Sequence, residues 1–233
     1  MKPGDPAAVT GLFEDIAPRY DALNDLLSLG LHRLWKRQAV QRLRPAPGQR
    51  LVDLCCGTGD LALVLAERVR PGGLVVGLDA AAAPLDLARS RSARQPWLPL
   101  VWRQGDALAT GLPDGWADGA SMAYGLRNLA DPAAGLAELR RLLRPGGRAV
   151  VLDFNRPQQG SLPAAFQRLY LRQVVVPAAR SFGLEEHYAY LESSLARFPT
   201  APELVDLARA AGFGSVRHQA LAAGLMGLLE LAA

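Results

Sequence analysis

Hydrophobic and polar positions alternate with two different periods along most of this chain. Short apolar runs bounded by acids, glycines or polar residues predict strands at 51–54, 74–79, 99–103, 119–124 and 148–154. Apolar residues that recur every three to four positions predict helices over 60–69, 84–94 and 132–143. Strands that alternate with helices are typical of βαβ units, so the pattern indicates an α/β fold with a doubly wound sheet.

The two ends of the chain add elements to this core. A helical stretch over 13–43, interrupted near 28–30, precedes the first predicted strand, and 45–48 (PAPG) ends it. After Pro157 a long, mostly apolar helical region reaches 182, and a helix follows at 202–211. Strands at 213–219 and 225–231 are expected to form an antiparallel hairpin at the edge of the sheet. The insertion between the fifth and sixth strands falls at the carboxyl end of the sheet, where ligands bind, and predicts a lid.

The most specific local pattern is residues 51–60 (LVDLCCGTGD), a strand followed by a glycine turn and a helix. Gly57 and Gly59 allow a sharp turn because they have no Cβ. The turn also fits the dinucleotide fingerprint G-x-G-x-x-G/A, so by itself it does not choose between NAD and an adenosyl cofactor such as S-adenosylmethionine.

Acidic residues near this turn favour the second cofactor. Asp53, Asp60, Asp79 and Asp106 all lie on the turn or near predicted strand ends. Several carboxylates would repel a pyrophosphate but suit the sulfonium and ammonium of S-adenosylmethionine. Asp79 ends the second strand, where an acid binds the ribose diol in such folds. The alternative is an ordinary glycine turn with solvated acids.

Composition narrows the class of protein. The 233 residues are half hydrophobic, which is enough for a full core, and the net charge is +4 with a pI near 9.4. Basic residues are scattered, so no nucleic-acid site is predicted. The only cysteines, Cys55 and Cys56, are adjacent, which predicts no disulfide framework and a reducing compartment. No apolar run is long enough to span a bilayer, so a cytoplasmic protein, soluble or peripheral, is expected.

Three strings carry a resemblance to a known family: 20–36 (YDALNDLLSLGLHRLWK), 54–60 (LCCGTGD) and 124–131 (YGLRNLAD). Together they resemble the ubiquinone/menaquinone biosynthesis C-methyltransferase family, over nearly the whole chain. Residues 152–157, 188–199 and 223–228 are most similar to its cyanobacterial branch, which methylates 2-phytyl-1,4-naphthoquinone (demethylphylloquinone), the last methylation in phylloquinone biosynthesis.

The resemblance implies a class I S-adenosylmethionine-dependent methyltransferase fold, Rossmann-like, with seven strands of which the last is antiparallel. It divides a single domain, 1–233, into an N-terminal helical cap (1–48), a cofactor-binding core (49–155), a helical substrate lid (156–200) and a C-terminal helix with an edge hairpin (201–233). The implied cofactor is S-adenosyl-L-methionine, and no metal is expected. The expected cofactor-binding residues are Asp53, Gly57, Thr58, Gly59, Asp79, Asp106, Ala107 and Ala123. Ala123 stands where relatives often have serine, so any contact there must come from the backbone.

Ring C-methylation requires an electron-rich carbon, which a quinone lacks and a deprotonated quinol provides. Arg127 and Asn128 follow the fourth strand at the cofactor edge, so Arg127 is expected to stabilise a developing phenolate and Asn128 to orient the substrate. Tyr20 and His32 are the candidates for general base or hydroxyl positioning.

Each candidate has a structural alternative. Arg127 could pair with Asp131 four residues later, Tyr20 could be a core aromatic residue, and His32 could be a structural or capping residue. Cys55 and Cys56 are interpreted as packing residues, because methyl transfer needs no covalent intermediate.

A lipophilic quinol substrate implies an apolar groove for its tail and contact with a membrane. Candidate lining residues are Phe166, Leu169, Tyr170, 174–176, Leu225, Met226 and Leu228. The basic excess favours peripheral association with a thylakoid or plasma membrane, and a homodimer is possible. A nucleic-acid methyltransferase, an NAD-binding oxidoreductase and a non-catalytic adenosyl-binding protein remain as alternatives. Tail length and the choice between naphthoquinol and benzoquinol also stay open.

Overall fold

One sheet of seven strands forms the centre of the molecule. The computed structural model describes residues 5–16, 25, 28, 30–157, 160–171, 173, 177 and 185–233. The strands are β1 (Arg50–Leu54), β2 (Leu74–Asp79), β3 (Leu100–Gln104), β4 (Ala117–Ala123), β5 (Leu143–Phe154), β6 (Ser215–Leu221) and β7 (Met226–Ala232). Their order is β3-β2-β1-β4-β5-β7-β6. β1 to β5 pair in parallel, and β7 is antiparallel to both β5 and β6, which confirms the predicted fold class and edge hairpin.

Helices lie on both faces of this sheet. They are α1 (Pro6–Ile16), α2 (Leu31–Leu43), α3 (Asp60–Arg68), α4 (Ala82–Ser92), α5 (Pro132–Leu142), α6 (Leu162–Tyr170), α7 (Glu185–Arg197) and α8 (Ala201–Ala210). Alternation along the strands divides the core in two. Val52 and Val76 face the side covered by α5 and α8, whereas Leu51 and Val75 face α2 and α3.

The N-terminal helix begins earlier than the sequence pattern predicted. The prediction placed the first helical residue at 13, but α1 starts at Pro6. Asp5 caps this end, because its carboxylate accepts a hydrogen bond from the Ala7 N–H at 3.1 Å. Aspartate before a helix with proline at its first position is a known start signal, and the hydrophobic periodicity overlooked it.

The turn expected between α5 and β5 is part of the strand. Leu143 already pairs with Ala117 of β4, and regular pairing resumes only at Gly119 with Arg148. Residues 144–147 (RPGG) therefore form an irregular extension within β5 rather than a separate helix exit. The remaining strand boundaries differ from the predictions by two residues or fewer.

Candidate functional site

The glycine turn after β1 folds against an aromatic side chain. Gly57 and Gly59 have φ values of 54° and 85°, and Cys55 between strand and turn also has a positive φ of 54°. A Cβ at Gly59 would lie 2.6 Å from the Trp102 ring, so only glycine fits there. The turn ends at Asp60, the first residue of α3.

Asp79 at the end of β2 fixes this turn. Its Oδ2 accepts a hydrogen bond from the Gly57 N–H at 2.8 Å, and its Oδ1 accepts one from the Ala81 N–H at 3.0 Å. Burial raises the pKa of the Asp79 carboxyl above its ordinary value, and the backbone N–H groups oppose that rise. One carboxylate thus connects the ends of two neighbouring strands.

A cavity of about 450 Å³ opens at this edge of the sheet. Six residues predicted to form the site line it: Gly57, Asp79, Asp106, Ala107, Ala123 and Asn128. Asp106 holds its own loop, since its Oδ1 accepts a hydrogen bond from the Leu108 N–H at 2.8 Å. The structure therefore brings together predicted residues from β1, β2, β3 and β4.

Three predicted cofactor residues, Asp53, Thr58 and Gly59, are not part of the cavity lining. Asp53 is buried, accepts a hydrogen bond from the Ser121 hydroxyl at 2.5 Å, and has no partner within hydrogen-bond distance for Oδ2 among the described residues. Burial raises its pKa to about 7. Thr58 accepts a hydrogen bond from Arg91 at 3.0 Å, and Gly59 packs on Trp102. Their contact with a cofactor stays a prediction.

A network of ion pairs at the end of the turn was not predicted from the sequence. Asp60 receives Lys36 of α2 at 2.9 Å on one oxygen and Arg91 of α4 at 2.8 Å on the other. Arg91 also donates to Thr58. The turn is thus held by two cations, one from a helix that precedes it in the sequence and one from a helix that follows it. No local pattern indicates that these three elements meet.

Helix α1 forms one wall of the cavity. Val9, Thr10 and Phe13 line it, and Glu14 accepts hydrogen bonds from the N–H groups of Ala82 and Ala83 at the start of α4. A carboxylate at a helix N-terminus satisfies N–H groups that have no partner within the helix. Glu14 was not among the predicted residues, because its partner lies 68 positions away.

Arg127 is buried in an ion pair on the other side of the cavity. Its Nη1 donates to Asp153 Oδ1 at 2.7 Å and to the Tyr124 carbonyl oxygen at 2.7 Å. The alternative prediction, that Arg127 pairs with Asp131, is wrong. The Asp131 carboxylate instead caps α5 by accepting hydrogen bonds from the N–H groups of Ala133 and Ala134. The guanidinium is not part of the cavity lining.

Asn128 does line the cavity, and two contacts fix its amide. Its Nδ2 donates to the Tyr124 carbonyl at 2.9 Å, and its Oδ1 accepts from the Tyr190 hydroxyl at 3.1 Å. Tyr190 is a buried residue of α7, within the predicted lid, and burial raises its pKa. In the sequence, residues 188–199 carried only the family resemblance, and no pattern there predicts this contact.

Neither candidate base is among the described residues that line the cavity. Tyr20 lies outside the described residues. His32 is buried, its Nε2 lies 2.8 Å from Asp25 Oδ1, and its backbone N–H donates to Ser28 Oγ. These contacts favour the structural alternative for His32.

Both cysteines pack against the core, as predicted, whereas the predicted tail groove needs correction. Cys55 lines the cavity, whereas Cys56 packs in the core; burial raises the pKa of both thiols well above the ordinary value, so both are protonated at neutral pH. In the predicted tail groove, Leu225, Met226 and Leu228 are buried core residues, and Phe166 and Leu169 face solvent. Residues 174–176 lie outside the described residues.

The charges on the cavity wall fit S-adenosylmethionine better than a dinucleotide. Within the described part of the chain, Asp79 and Asp106 are the only charged side chains in the lining. A pyrophosphate would meet two carboxylates and no lysine or arginine, which is unfavourable. A sulfonium, an ammonium and a ribose diol suit the same wall.

Comparisons with known proteins agree with this geometry. The ubiE/COQ5 methyltransferase family matches residues 1–229. The chain is 51% identical to a 2-phytyl-1,4-naphtoquinone methyltransferase of Thermosynechococcus vestitus over 220 residues, which is 94% of this chain and 96% of that protein. It is 42% identical to a chloroplastic 2-phytyl-1,4-beta-naphthoquinone methyltransferase of Arabidopsis thaliana, over 94% of this chain and 84% of that protein.

Solved structures show the same fold at lower identity. A Thermotoga maritima methyltransferase, described as a possible histamine N-methyltransferase, matches with a TM-score of 0.65 and 21% identity over 95% of this chain and 98% of that one. A Haemonchus contortus phosphoethanolamine N-methyltransferase in complex with S-adenosyl-L-methionine matches with a TM-score of 0.62 and 18% identity, over 80% of this chain and 38% of that one. The family match covers almost every residue, and the chain therefore belongs to the ubiE/COQ5 methyltransferase family.

Proposed function

We propose that this enzyme transfers the methyl group of S-adenosylmethionine to a ring carbon of a long-tailed demethylnaphthoquinol, as in phylloquinone biosynthesis. One observation carries the proposal: a single cavity has carboxylates on one wall and a fixed neutral amide on the other. The substrate names of the relatives support the naphthoquinol ring and the phytyl tail.

The carboxylate wall binds and orients the cofactor. S-Adenosylmethionine supplies an electrophilic methyl group on a positively charged sulfur. When the cofactor is bound, Asp79 would accept hydrogen bonds from the ribose diol, and Asp106 would accept from the adenine amine. Because Asp79 also holds the Gly57 and Ala81 N–H groups, the wall is already in place before the cofactor arrives.

The opposite wall orients the acceptor ring. A quinol oxygen that loses its proton gains negative charge and makes the neighbouring ring carbon nucleophilic. Asn128 is suited to donate to that oxygen, because one amide hydrogen is used by the Tyr124 carbonyl and the second has no partner among the residues that the structure describes. Tyr190 keeps the amide from rotating.

Arg127 acts on the ring through its neighbours. Asp153 neutralises its charge, and the guanidinium shares the Tyr124 carbonyl oxygen with Asn128. We therefore assign Arg127 as a positioning residue that holds the loop carrying Asn128. Tyr20 stays the predicted base, and His32 a weaker candidate.

The enzyme works at a membrane surface as a single methyltransferase domain in this proposal. No helix among the described residues is long and apolar enough to cross a bilayer. A phytyl tail resides in the bilayer, so a protein that reaches it from the cytoplasm must touch the surface peripherally. A homodimer stays a prediction.

Product analysis tests the proposal. The purified chain would be incubated with S-adenosylmethionine and, in parallel, with demethylated naphthoquinol and benzoquinol carrying the same tail under reducing conditions. Mass spectrometry should show that one methyl group replaces a ring hydrogen of the naphthoquinol, and that the benzoquinol is converted more slowly. The same two compounds kept in the oxidised quinone form should not be methylated. Preferred methylation of the benzoquinol, or of neither ring, would contradict it.

An Asn128→Ala variant tests the acceptor wall. Loss of a hydrogen bond to a developing phenolate should reduce turnover about ten- to a hundredfold. Cofactor affinity should change less than about threefold, since the amide faces the acceptor. Asn155→Ala is the matched control, because its amide is also fixed but contacts Gly224 and Met226 away from the cavity. Equal losses in both variants would indicate a structural role.

A further inference from the structure

Helix α6 has one face attached to the protein and one apolar face in solvent. On the attached face, Ala164 and Leu171 just beyond its end are buried, and Gln167 donates to the Asn155 carbonyl at 2.9 Å. On the outer face, the side chains of Leu162, Phe166 and Leu169 are 87%, 45% and 58% exposed. Their spacing places them on one stripe.

This stripe is a concentration of exposed apolar surface. Eight large hydrophobic residues are exposed within the described part of the chain, and three of them belong to this nine-residue helix, including the two most exposed. Phe166 stacks on Tyr170 with ring centroids 6.4 Å apart, which fixes the aromatic ring along the stripe. Contiguous exposed apolar surface of this kind marks a contact with a partner or a membrane.

The charge around the helix is one-sided. Residues 154–184 contain four arginines, Arg156, Arg168, Arg172 and Arg180, and no aspartate, glutamate or lysine. The rest of the chain has 22 basic and 22 acidic residues, so this segment accounts for the whole net charge of +4. The apolar stripe, with the exposed Arg168 on the same helix, complements an anionic lipid surface.

We propose that the outer face of α6, formed by Leu162, Phe166 and Leu169, docks the enzyme on the anionic leaflet of a lipid bilayer. This inference rests on the proposed function, whose substrate carries a bilayer-resident tail. A second copy of the chain fits the same face less well, because a two-fold interface over this face would bring two copies of α6 together, and the one charged residue of α6 is Arg168.

The docking face is connected to the acceptor wall of the cavity. Gln167 holds α6 to Asn155, which immediately follows β5, and Asp153 near the end of the same strand holds Arg127. A helix lying on the leaflet would thus place the carboxyl edge of the sheet towards the lipid. That edge is where the acceptor must enter.

Vesicle sedimentation tests the docking surface directly. Wild type would be mixed with phosphatidylcholine vesicles and with vesicles that contain about one third phosphatidylglycerol. We expect binding to the anionic vesicles to be about tenfold tighter or more, and to weaken at high salt because screening reduces the arginine contribution. The triple variant Leu162→Ser, Phe166→Ser, Leu169→Ser should lose at least about tenfold in vesicle affinity. Wild-type binding that is absent, or indifferent to both lipid charge and salt, would overturn the proposal.

A matched triple variant controls for general loss of surface hydrophobicity. Leu34→Ser, Val64→Ser and Val101→Ser remove three side chains that are 49%, 42% and 44% exposed on other elements. It should bind vesicles like the wild type, and thermal unfolding should show both triple variants folded. If the α6 variant bound like the wild type, or both triple variants lost binding equally, the docking surface would be wrong. Light scattering that showed a wild-type dimer, dissociated by the α6 changes, without vesicle binding would assign the face to self-association instead.

Turnover on two substrates separates this inference from the proposed function. A short-tailed demethylnaphthoquinol in vesicle-free buffer should be methylated equally by wild type and the α6 variant. A long-tailed quinol in anionic vesicles should be methylated about tenfold more slowly by the α6 variant. Undiminished turnover in vesicles would overturn docking by this face. Absence of wild-type turnover on both quinols, with vesicle binding intact, would refute the proposed function and leave the docking surface standing.

Discussion

The two walls of the cavity are built in different ways. On the cofactor wall, Asp79 and Asp106 are held by backbone N–H groups of their own or neighbouring turns. The acceptor wall carries Asn128 and is supported by Arg127 behind it, and these two residues depend on side chains from β5 and α7, 26 and 62 positions away. The cofactor wall is therefore fixed by backbone groups of nearby turns, whereas the acceptor wall is fixed by tertiary packing.

This difference predicts different consequences of mutation. Removal of a carboxylate from the cofactor wall should affect binding more than folding, because backbone N–H groups near a cavity can bond to water instead. Removal of a buried cation from the acceptor wall should affect folding first, because its partner carboxylate stays buried without its charge.

Arg127→Ala should show the largest effect, a loss of about 3 kcal/mol in the free energy of unfolding. The reason is that Asp153, which is almost fully buried, would lose its cationic partner. Urea unfolding followed by circular dichroism measures this. Adding Asp153→Asn should recover part of the loss, since the uncompensated charge is then removed.

The control for this prediction is Arg209→Ala, which removes an exposed ion pair with Asp206 and should cost less than about 1 kcal/mol. A stable Arg127→Ala enzyme with normal cofactor affinity and almost no turnover would contradict the positioning role. It would instead place the guanidinium on the substrate, as the sequence analysis first expected.

Asp79→Ala should weaken S-adenosylmethionine binding about ten- to a hundredfold, or 1.5–3 kcal/mol, because a charge-assisted bond to the ribose is lost. Titration calorimetry measures the affinity. Asp86→Ala on α4 removes an exposed carboxylate that pairs with Arg89 among the described residues, and it should leave binding unchanged. An unchanged affinity of Asp79→Ala would remove Asp79 from the cofactor site.

The cofactor wall could be predicted from sequence because its signals are local. Gly57, Asp79 and Asp106 each follow a strand end, and the carboxyl ends of parallel strands meet at one edge. The same rule brought Asn128 to the cavity. It could not distinguish Asp53 from Asp79, because one residue along a strand decides which side of the turn a carboxylate faces.

The supporting contacts could not be predicted from sequence. Glu14 caps α4 from a distant helix, Tyr190 reaches Asn128 from the lid, and Lys36 meets Asp60 across the glycine turn. Each depends on how helices pack on the sheet, which periodicity does not specify. The exposed stripe of α6 was likewise predicted to line the groove for the substrate tail. An apolar helix face has the same sequence pattern whether it packs on protein or contacts a membrane.

Asp53→Asn offers the finest test of the contrast between the walls. The Asp53 carboxyl has its pKa raised from 3.8 to about 7 by burial, so between these values the folded chain keeps a proton that the unfolded chain releases. The free energy of unfolding of the wild type must then fall as pH rises from about 4 to 7, and this contribution is constant above 7. Asparagine does not titrate, and any cost of its unpaired amide is the same at every pH. The stability of Asp53→Asn relative to wild type should therefore increase by about 2–3 kcal/mol from pH 5 to pH 8. Urea unfolding at both pH values gives this difference directly. A flat difference would show that Asp53 is ionised in the folded protein, and a loss of cofactor affinity as large as that of Asp79→Ala would return Asp53 to the cofactor wall.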